Sequence, residues 1–373
     1  VDAEGTKEYG VPPKTEDMIA GPGDGYSPEW YDSAPAPDAA AHKKTIAELP
    51  VNKWVKAPEG KRHRPHFAYS KVACDVERNQ ILVWAGGHAT SHQSVVSRYS
   101  MATGTWHIDY PPQIGMSYGR RLWGKNYFYG YRPSMPRHPW AGYAYDPPSE
   151  KLVIARSSGP LMLWFNPDRG DFEQPEVLLP PGGGSQKATM APTPDGALLW
   201  TGKTLYRFDH EKKEWEKLTI KGDKLPKTSF YDGIAYDSKR KNYVLFRGKN
   251  VYVYNPSDNM LKHMKAENRE NAAGFVRTIK YIPEQDIFLH GTGEYWDPAK
   301  NRWGKLDFDC SVLKKLRKPK INTNTGTCWD PKRGVLWLVK GYMKQTYVLK
   351  PDFDKARRDN GSGTGQISGS GEN

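Results

Sequence analysis

Tyr145-Asp146-Pro147 leading into Leu152-Val153-Ile154-Ala155 is a stretch that the chain repeats. It returns as Tyr236-Asp237 before Tyr243-Val244-Leu245-Phe246, and as Trp329-Asp330-Pro331 before Val335-Leu336-Trp337-Leu338. Ile282-Pro283 before Ile287-Phe288-Leu289 and Pro194-Asp195-Gly196 before Ala197-Leu198-Leu199-Trp200 are looser copies. In the copies that are complete the pair is followed by a loop, a Tyr-bearing strand and a Trp-bearing strand. The interval is 42 residues from Asp195 to Asp237, 47 from Asp237 to Glu284 and 46 from Glu284 to Asp330. A period of that size made of four short strands is what a β-propeller blade requires. The expected fold class is all-β: a single β-propeller of six or seven four-stranded blades.

Composition agrees with a turn-dense all-β chain. The 373 residues include 36 Gly and 30 Pro, enough punctuation for many short strands, and are 12% aromatic. No apolar run approaches the roughly eighteen residues of a membrane span, so no membrane partner is expected. A net charge of +13 favours an anionic partner at long range. Three cysteines are too few for a disulfide scaffold; either Cys310 pairs with Cys328 and Cys74 stays a small buried residue, or all three remain thiols. The chain opens on Val1 as a processed protein would, and a secreted or periplasmic location is the expectation.

Residues 1–48 lack periodicity and are rich in Pro, Gly, Ala and acid, which reads as an extended or disordered arm. The propeller is expected over 49–355. Residues 356–373 read as a disordered tail, with Gly361 to Gly371 linker-like. Blades fall near 66–107, 141–178, 187–219, 230–264, 275–307 and 322–349. The last has no Trp-bearing outer strand after it. Asn52-Lys53-Trp54-Val55 resembles Gly104-Thr105-Trp106, Lys213-Glu214-Trp215 and Asn301-Arg302-Trp303, so residues 50–57 are expected to close the ring from the N-terminal side. From Asp75 to Asp146 is 71 residues, and the surplus near 108–139 is an insertion or a degenerate seventh blade.

The first blade resembles a kelch repeat: Ile81-Leu82-Val83-Trp84, then Gly86-Gly87, then Tyr99 and Trp106 seven apart. The resemblance to kelch and galactose-oxidase-like propellers implies the ring. It does not bring the copper chemistry of that group, because Cys74, Cys310 and Cys328 do not match its Tyr–Cys constellation.

With strands named a to d from the axis outward, b–c loops and d–a connections emerge on one face, and a–b and c–d turns on the other. His63, His66, His88, His92, Gln93, His138 and His290 all reach the b–c face, with Arg120, Arg137, Arg156, Arg247, Arg269 and Trp140. The a–b turns read as mixed-charge solvated hairpins. Singly, each of these residues has a bland reading as a brace, packing or solubilising charge; the clustering of all but His290, Arg247 and Arg269, which lie further round the same face, in one sector suggests a site.

Eliminative cleavage of a uronate needs a cation on the sugar carboxylate, a base for the α-proton and an acid for the leaving oxygen. Arg, His and Tyr supply all three without a cofactor. Trp123, Tyr129, Trp140 and Trp164 would offer stacking surfaces. The chain is similar in ring architecture and residue order to the propeller-type polysaccharide lyases, the ulvan lyases in particular. That resemblance implies His66, His88, Tyr131 (or a neighbouring Tyr) and Arg137 or Arg156 as catalytic residues. The remaining named residues would bind substrate.

The expected partner is an acidic polysaccharide and the expected state a monomer. No cofactor is predicted; a Zn or Mn ion held by His66, His88, His92 and His138 is the alternative, although His-x3-His in a loop lacks the shared face of a helix. Hydrolysis is disfavoured because Glu173, Glu267 and Glu270 lie elsewhere around the ring. No nucleic-acid-binding motif is present. A non-catalytic kelch-like module for an acidic glycan or protein is the other class of function.

Overall fold

The computed structural model describes residues 38–57, 71–84, 95–109, 128–129, 132–133, 141–155, 161–173, 176–185, 187–271, 278–314, 325–340 and 345–358. It is a β-propeller of six blades. Blade one is Ala73–Asp75, Gln80–Trp84, Val96–Ser100 and Thr105–His107; blade two is Tyr143–Asp146, Lys151–Ile154, Leu163–Asn166 and Asp171–Phe172. Blade three is Thr189–Ala191, Leu198–Thr201, Thr204–Asp209 and Glu214–Lys217. Blade four is Gly233–Asp237, Asn242–Arg247, Asn250–Asn255 and Met260–His263, with Lys221–Gly222 added parallel to its outer edge. Blade five is Lys280–Ile282, Ile287–Leu289, Glu294–Asp297 and Arg302–Lys305.

Blade six takes three strands from the end of the fold, Thr325–Asp330, Val335–Lys340 and Gln345–Leu349, and its fourth from the beginning. Val55–Lys56 pairs antiparallel with Gln345–Leu349, in the register Val55 to Val348 and Lys56 to Tyr347. The expected closure by residues 50–57 is therefore present. Trp54 is fully buried behind it, with Nε1 donating to the Gly291 carbonyl at 2.8 Å. The inner strands touch in cyclic order from blade one to blade six and back to blade one. Within 108–139 the described part beyond Asp109 is a two-stranded ribbon, Phe128–Tyr129 with Arg132–Pro133, forming a sheet of its own. Six blades, not seven, make the ring.

The core is divided by the blades. Six apolar clusters lie one between each adjacent pair, so both faces of every blade are covered. That burial explains why strands such as Gln80–Trp84 and Val335–Lys340 are buried at every position instead of alternating.

Three details differ from the sequence reading. Ala39–Ala47, inside the segment read as an arm, is a helix capped by Asp38, whose side chain accepts from the Ala41 amide at 2.9 Å. It buries His42 and Ile46, one turn apart, on the cluster between blades six and one. Phe353–Arg358 is a second helix with Ala356 fully buried, so the ordered fold runs past residue 355. The disulfide joins Cys74 to Cys328, not Cys310 to Cys328. Both lie on innermost strands, of blades one and six, with Cα atoms 5.7 Å apart, within normal disulfide reach. Among the described residues no helix is long and apolar enough to cross a membrane.

Candidate functional site

Blades one to five are each four consecutive antiparallel strands, and blade six is three plus the N-terminal one, so alternate loops leave at alternate ends. The a–b and c–d turns share one face; the b–c loops and d–a connections share the other. Of the residues expected on the b–c face, His66, His88, Tyr131 and Arg137 lie outside the described residues. So do His63, His92, Gln93, Arg120, His138, Trp140 and Arg156, and with them the whole alternative metal set. Arg247, Arg269 and His290 are described.

Arg247 ends the second strand of blade four, in the tight loop Arg247-Gly248-Lys249-Asn250, where Gly248 takes φ 53°. Arg269 lies on the one-turn segment Arg269–Asn271 in the next d–a connection. Asn250 links the two: Arg269 Nη2 donates to Asn250 Oδ1 at 2.9 Å, and Asn250 Nδ2 donates to the Arg247 carbonyl at 3.4 Å. Neither guanidinium has a carboxylate within 4.0 Å among the described residues, although Glu267 and Glu270 share the connection. Buried Asp232 is the acid that feels Arg247; desolvation raises its pKa, hydrogen bonds from Ser229 at 2.6 and 2.7 Å and the Arg247 charge oppose that. Exposed Lys203 and Lys249 occupy the b–c loops of blades three and four. This sector is a cationic rim.

The opposite face is organised differently. Asp75, Asp146, Asp237 and Asp330 end four inner strands and are fully or almost fully buried, each accepting backbone N–H groups of its own a–b turn. Three residues on, an arginine returns to that Asp and reaches the next blade. Arg78 holds Asp75 and bridges to Glu150 and Asp168 of blade two at 2.6 and 2.5 Å. Arg240 holds Asp237 at 2.9 Å and Asp286 of blade five at 2.7 Å. Arg333 holds Asp330 at 2.8 Å and donates to Asn79 of blade one at 3.1 Å. Blade two lacks the arginine; His210 of blade three stands 3.1 Å from Asp146 instead. These turns are not merely solvated hairpins. They are latches between blades, and they consume Arg78, Arg240 and Arg333; Arg169, exposed in the c–d turn of blade two, takes no part in them.

Two expected contacts are corrected. Trp164 is packed edge-on against Phe208 with 9% of its surface exposed, so its ring is core and not a stacking platform. His290 is 4% exposed, and its Nδ1 is held by Thr292 Oγ1 at 2.6 Å and Glu294 Oε2 at 3.2 Å, so it braces the b–c loop of blade five. Burial alone would raise the Glu294 carboxyl; the His290 hydrogen bond and charge, with Thr292, outweigh it and bring the pKa down to about 2.

Along the axis runs a cavity of about 520 Å³, lined by the inner strands of all six blades and by their a–b turns, where it opens. Tyr145, Tyr236, Tyr281 and Trp329 stand at that mouth. Burial raises all three tyrosines, Tyr145 to about 12, which is the wrong direction for a base in an elimination. The register places Ala73, Ala144, Ala235, Lys280 and Cys328 one residue deeper. Deeper still, Lys71 of blade one passes blade two and donates to the Met190 carbonyl of blade three at 2.6 Å. The sequence reading missed this cavity. Alignment of the repeated cassettes on their a–b turns would have found Lys280, the one charged residue in its column.

Among the described residues no group of three or more His, Cys, Asp or Glu is placed to hold a metal ion. No protein-family model and no curated protein matches the chain.

Proposed function

We propose that this protein binds an anionic, uronate-containing polysaccharide on the b–c face and cleaves it by β-elimination. The observation that carries the reading is the linked pair Arg247 and Arg269 on the b–c face. Arg78, Arg240 and Arg333 on the a–b face are each consumed by carboxylates, whereas Arg247 and Arg269 on the b–c face carry no such partner. Guanidinium groups left without a counter-ion, beside exposed Lys203 and Lys249, suit a polymer that brings a carboxylate on each sugar.

In the proposed reaction Arg137 pairs with the uronate carboxylate, which acidifies the adjacent C–H. His66, His88 and Tyr131 supply the base that takes this proton and the acid that protonates the departing glycosidic oxygen. The C–H electron pair becomes the new C=C bond as the C–O bond breaks, leaving an unsaturated uronate. A non-catalytic module for an acidic glycan or protein is the second reading, favoured by the exposed rim position of Arg269, Lys203 and Lys249, which suits holding a polymer.

Affinity electrophoresis through gels containing polygalacturonate, alginate or hyaluronan tests the binding step. Two exposed ion pairs contribute roughly 1.4 kcal/mol together, a factor of about ten. The Arg247→Ala/Arg269→Ala double variant is expected to lose that factor on at least one polyuronate, while Lys300→Ala on the opposite face leaves retardation unchanged. Absence of retardation on all three, or equal loss in both variants, refutes the reading.

A further inference from the structure

Lys280 breaks a pattern that the rest of the ring keeps. At its register position three inner strands carry Ala and one carries Cys, and Thr189–Ala191 of blade three holds no charged residue either. Blade five places a lysine there, among the residues lining the cavity. Part of its surface is open to the cavity. It has no hydrogen-bond acceptor and no counter-ion among the described residues. Burial alone perturbs it, holding its pKa down to about 8. At neutral pH most of the population is still ammonium, and an ammonium enclosed by apolar walls without a partner is costly. An anion entering the cavity would relieve that cost.

The walls define the rest of the ligand. The cavity of about 520 Å³ falls within the range of small-molecule sites, roughly 300–1,000 Å³. Tyr145 accepts from Arg78 at 2.9 Å and Tyr281 donates to Asp286 at 3.0 Å, so two of the mouth rings are fixed in place by the latches. Lys71 is already occupied by the Met190 carbonyl and lies across the inner end. A site bounded at one end and aromatic at the other suits a compact molecule and not a threaded polymer.

We propose that the axial cavity is a binding site for a small amphipathic carboxylate, entering from the a–b face, with its anionic group paired to Lys280 and its apolar body between the rings at the mouth. The site lies at the other end of the ring from the polysaccharide face and does not depend on that reading.

Isothermal titration of the full chain with 1-naphthoate, 1-naphthamide and acetate is the test. Naphthoate is expected to bind at least tenfold more tightly than naphthamide or acetate. Lys280→Ala installs the residue three other blades carry, and Lys280→Met keeps the length of the side chain without the charge. In either, naphthoate affinity is expected to fall at least tenfold, to the level of naphthamide, with naphthamide unchanged. Equal affinity for naphthoate and naphthamide, unchanged naphthoate binding in the variants, or no naphthoate binding to the wild type overturns the proposal. Acetate binding as tightly as naphthoate does so too.

Discussion

Replacing Trp54 by Ala removes the residue that locks the N-terminal strand into blade six. Trp54 is fully buried against Leu306, Leu336, Leu338 and Tyr347, between blades five and six. Deleting a buried Trp side chain costs about 3–5 kcal/mol. The change also strips the Gly291 carbonyl of its donor at 2.8 Å, a penalty of about 1–3 kcal/mol that partly overlaps the first. A total near 5 kcal/mol corresponds to a fall in Tm of roughly 6–10 °C for a domain of this size. Trp54→Phe, which keeps most of the packing and loses the N–H, is expected to fall by only about a third as much. Trp303, equally buried on the outer strand of blade five but with no hydrogen-bond partner for its Nε1 among the described residues, isolates the packing cost: Trp54→Ala should exceed Trp303→Ala by about 1 kcal/mol or more. Thermal melting followed by circular dichroism reads both. A Trp54→Ala protein that melts within about 3 °C of wild type refutes closure by this strand.

Other consequences follow from the charges. Arg240→Ala leaves buried Asp237 without its guanidinium, and because Arg240 is 31% exposed the loss belongs at the low end for a broken buried pair, about 3 kcal/mol. Arg247→Ala, by contrast, should change the melting temperature by less than about 2 °C. Glu294 is a stronger acid folded than unfolded, so its stabilisation is complete above pH 4.5 and is lost as pH falls toward 2. Urea titrations of wild type and Glu294→Gln across that window should converge by about 2–3 kcal/mol, and parallel curves would contradict it. Lys280 has a linkage of the same sign, as a cost instead of a gain: its folded pKa lies below the unfolded one, so the cost is present below pH 8 and is relieved as pH rises to 10.5. In carboxylate-free buffer at pH 7, Lys280→Ala is expected to be more stable than wild type by about 1–2 kcal/mol, and a less stable variant would refute that cost.

The fold was legible because its repeat is written in chemistry the backbone needs. Asp146, Asp237 and Asp330 recur because each caps a type of turn that must be made in every blade. The Trp of the outer strand recurs because the gap between adjacent blades must be filled, so Trp54 could be matched to Trp106 and Trp303 across the whole chain. The Ala39–Ala47 helix was not legible as part of the fold, since only His42 and Ile46 of its nine residues are buried and its surroundings are polar. The disulfide partner was missed because proximity of Cys74 to Cys328 is a product of closure, 254 residues apart in sequence. The b–c face was legible as charge and could not be read as geometry: Arg247 and Arg269 emerge there without carboxylates, but Trp164 and His290 turn inward because their neighbours are apolar or acidic. The latches were half visible. Asp-x-x-Arg stands plainly in the turns of blades one, four and six, yet that its arginine reaches across to the following blade depends on the ring.

The central claim is cleavage of an acidic polysaccharide on the b–c face. It is tested most directly by incubating the protein with a panel of uronate-containing and sulfated polysaccharides and following the ultraviolet absorbance of the unsaturated product. The account predicts a rise on at least one uronate polymer, abolished in His88→Ala and retained in Lys300→Ala. A flat trace across the whole panel, or a rise that His88→Ala leaves intact, would contradict it.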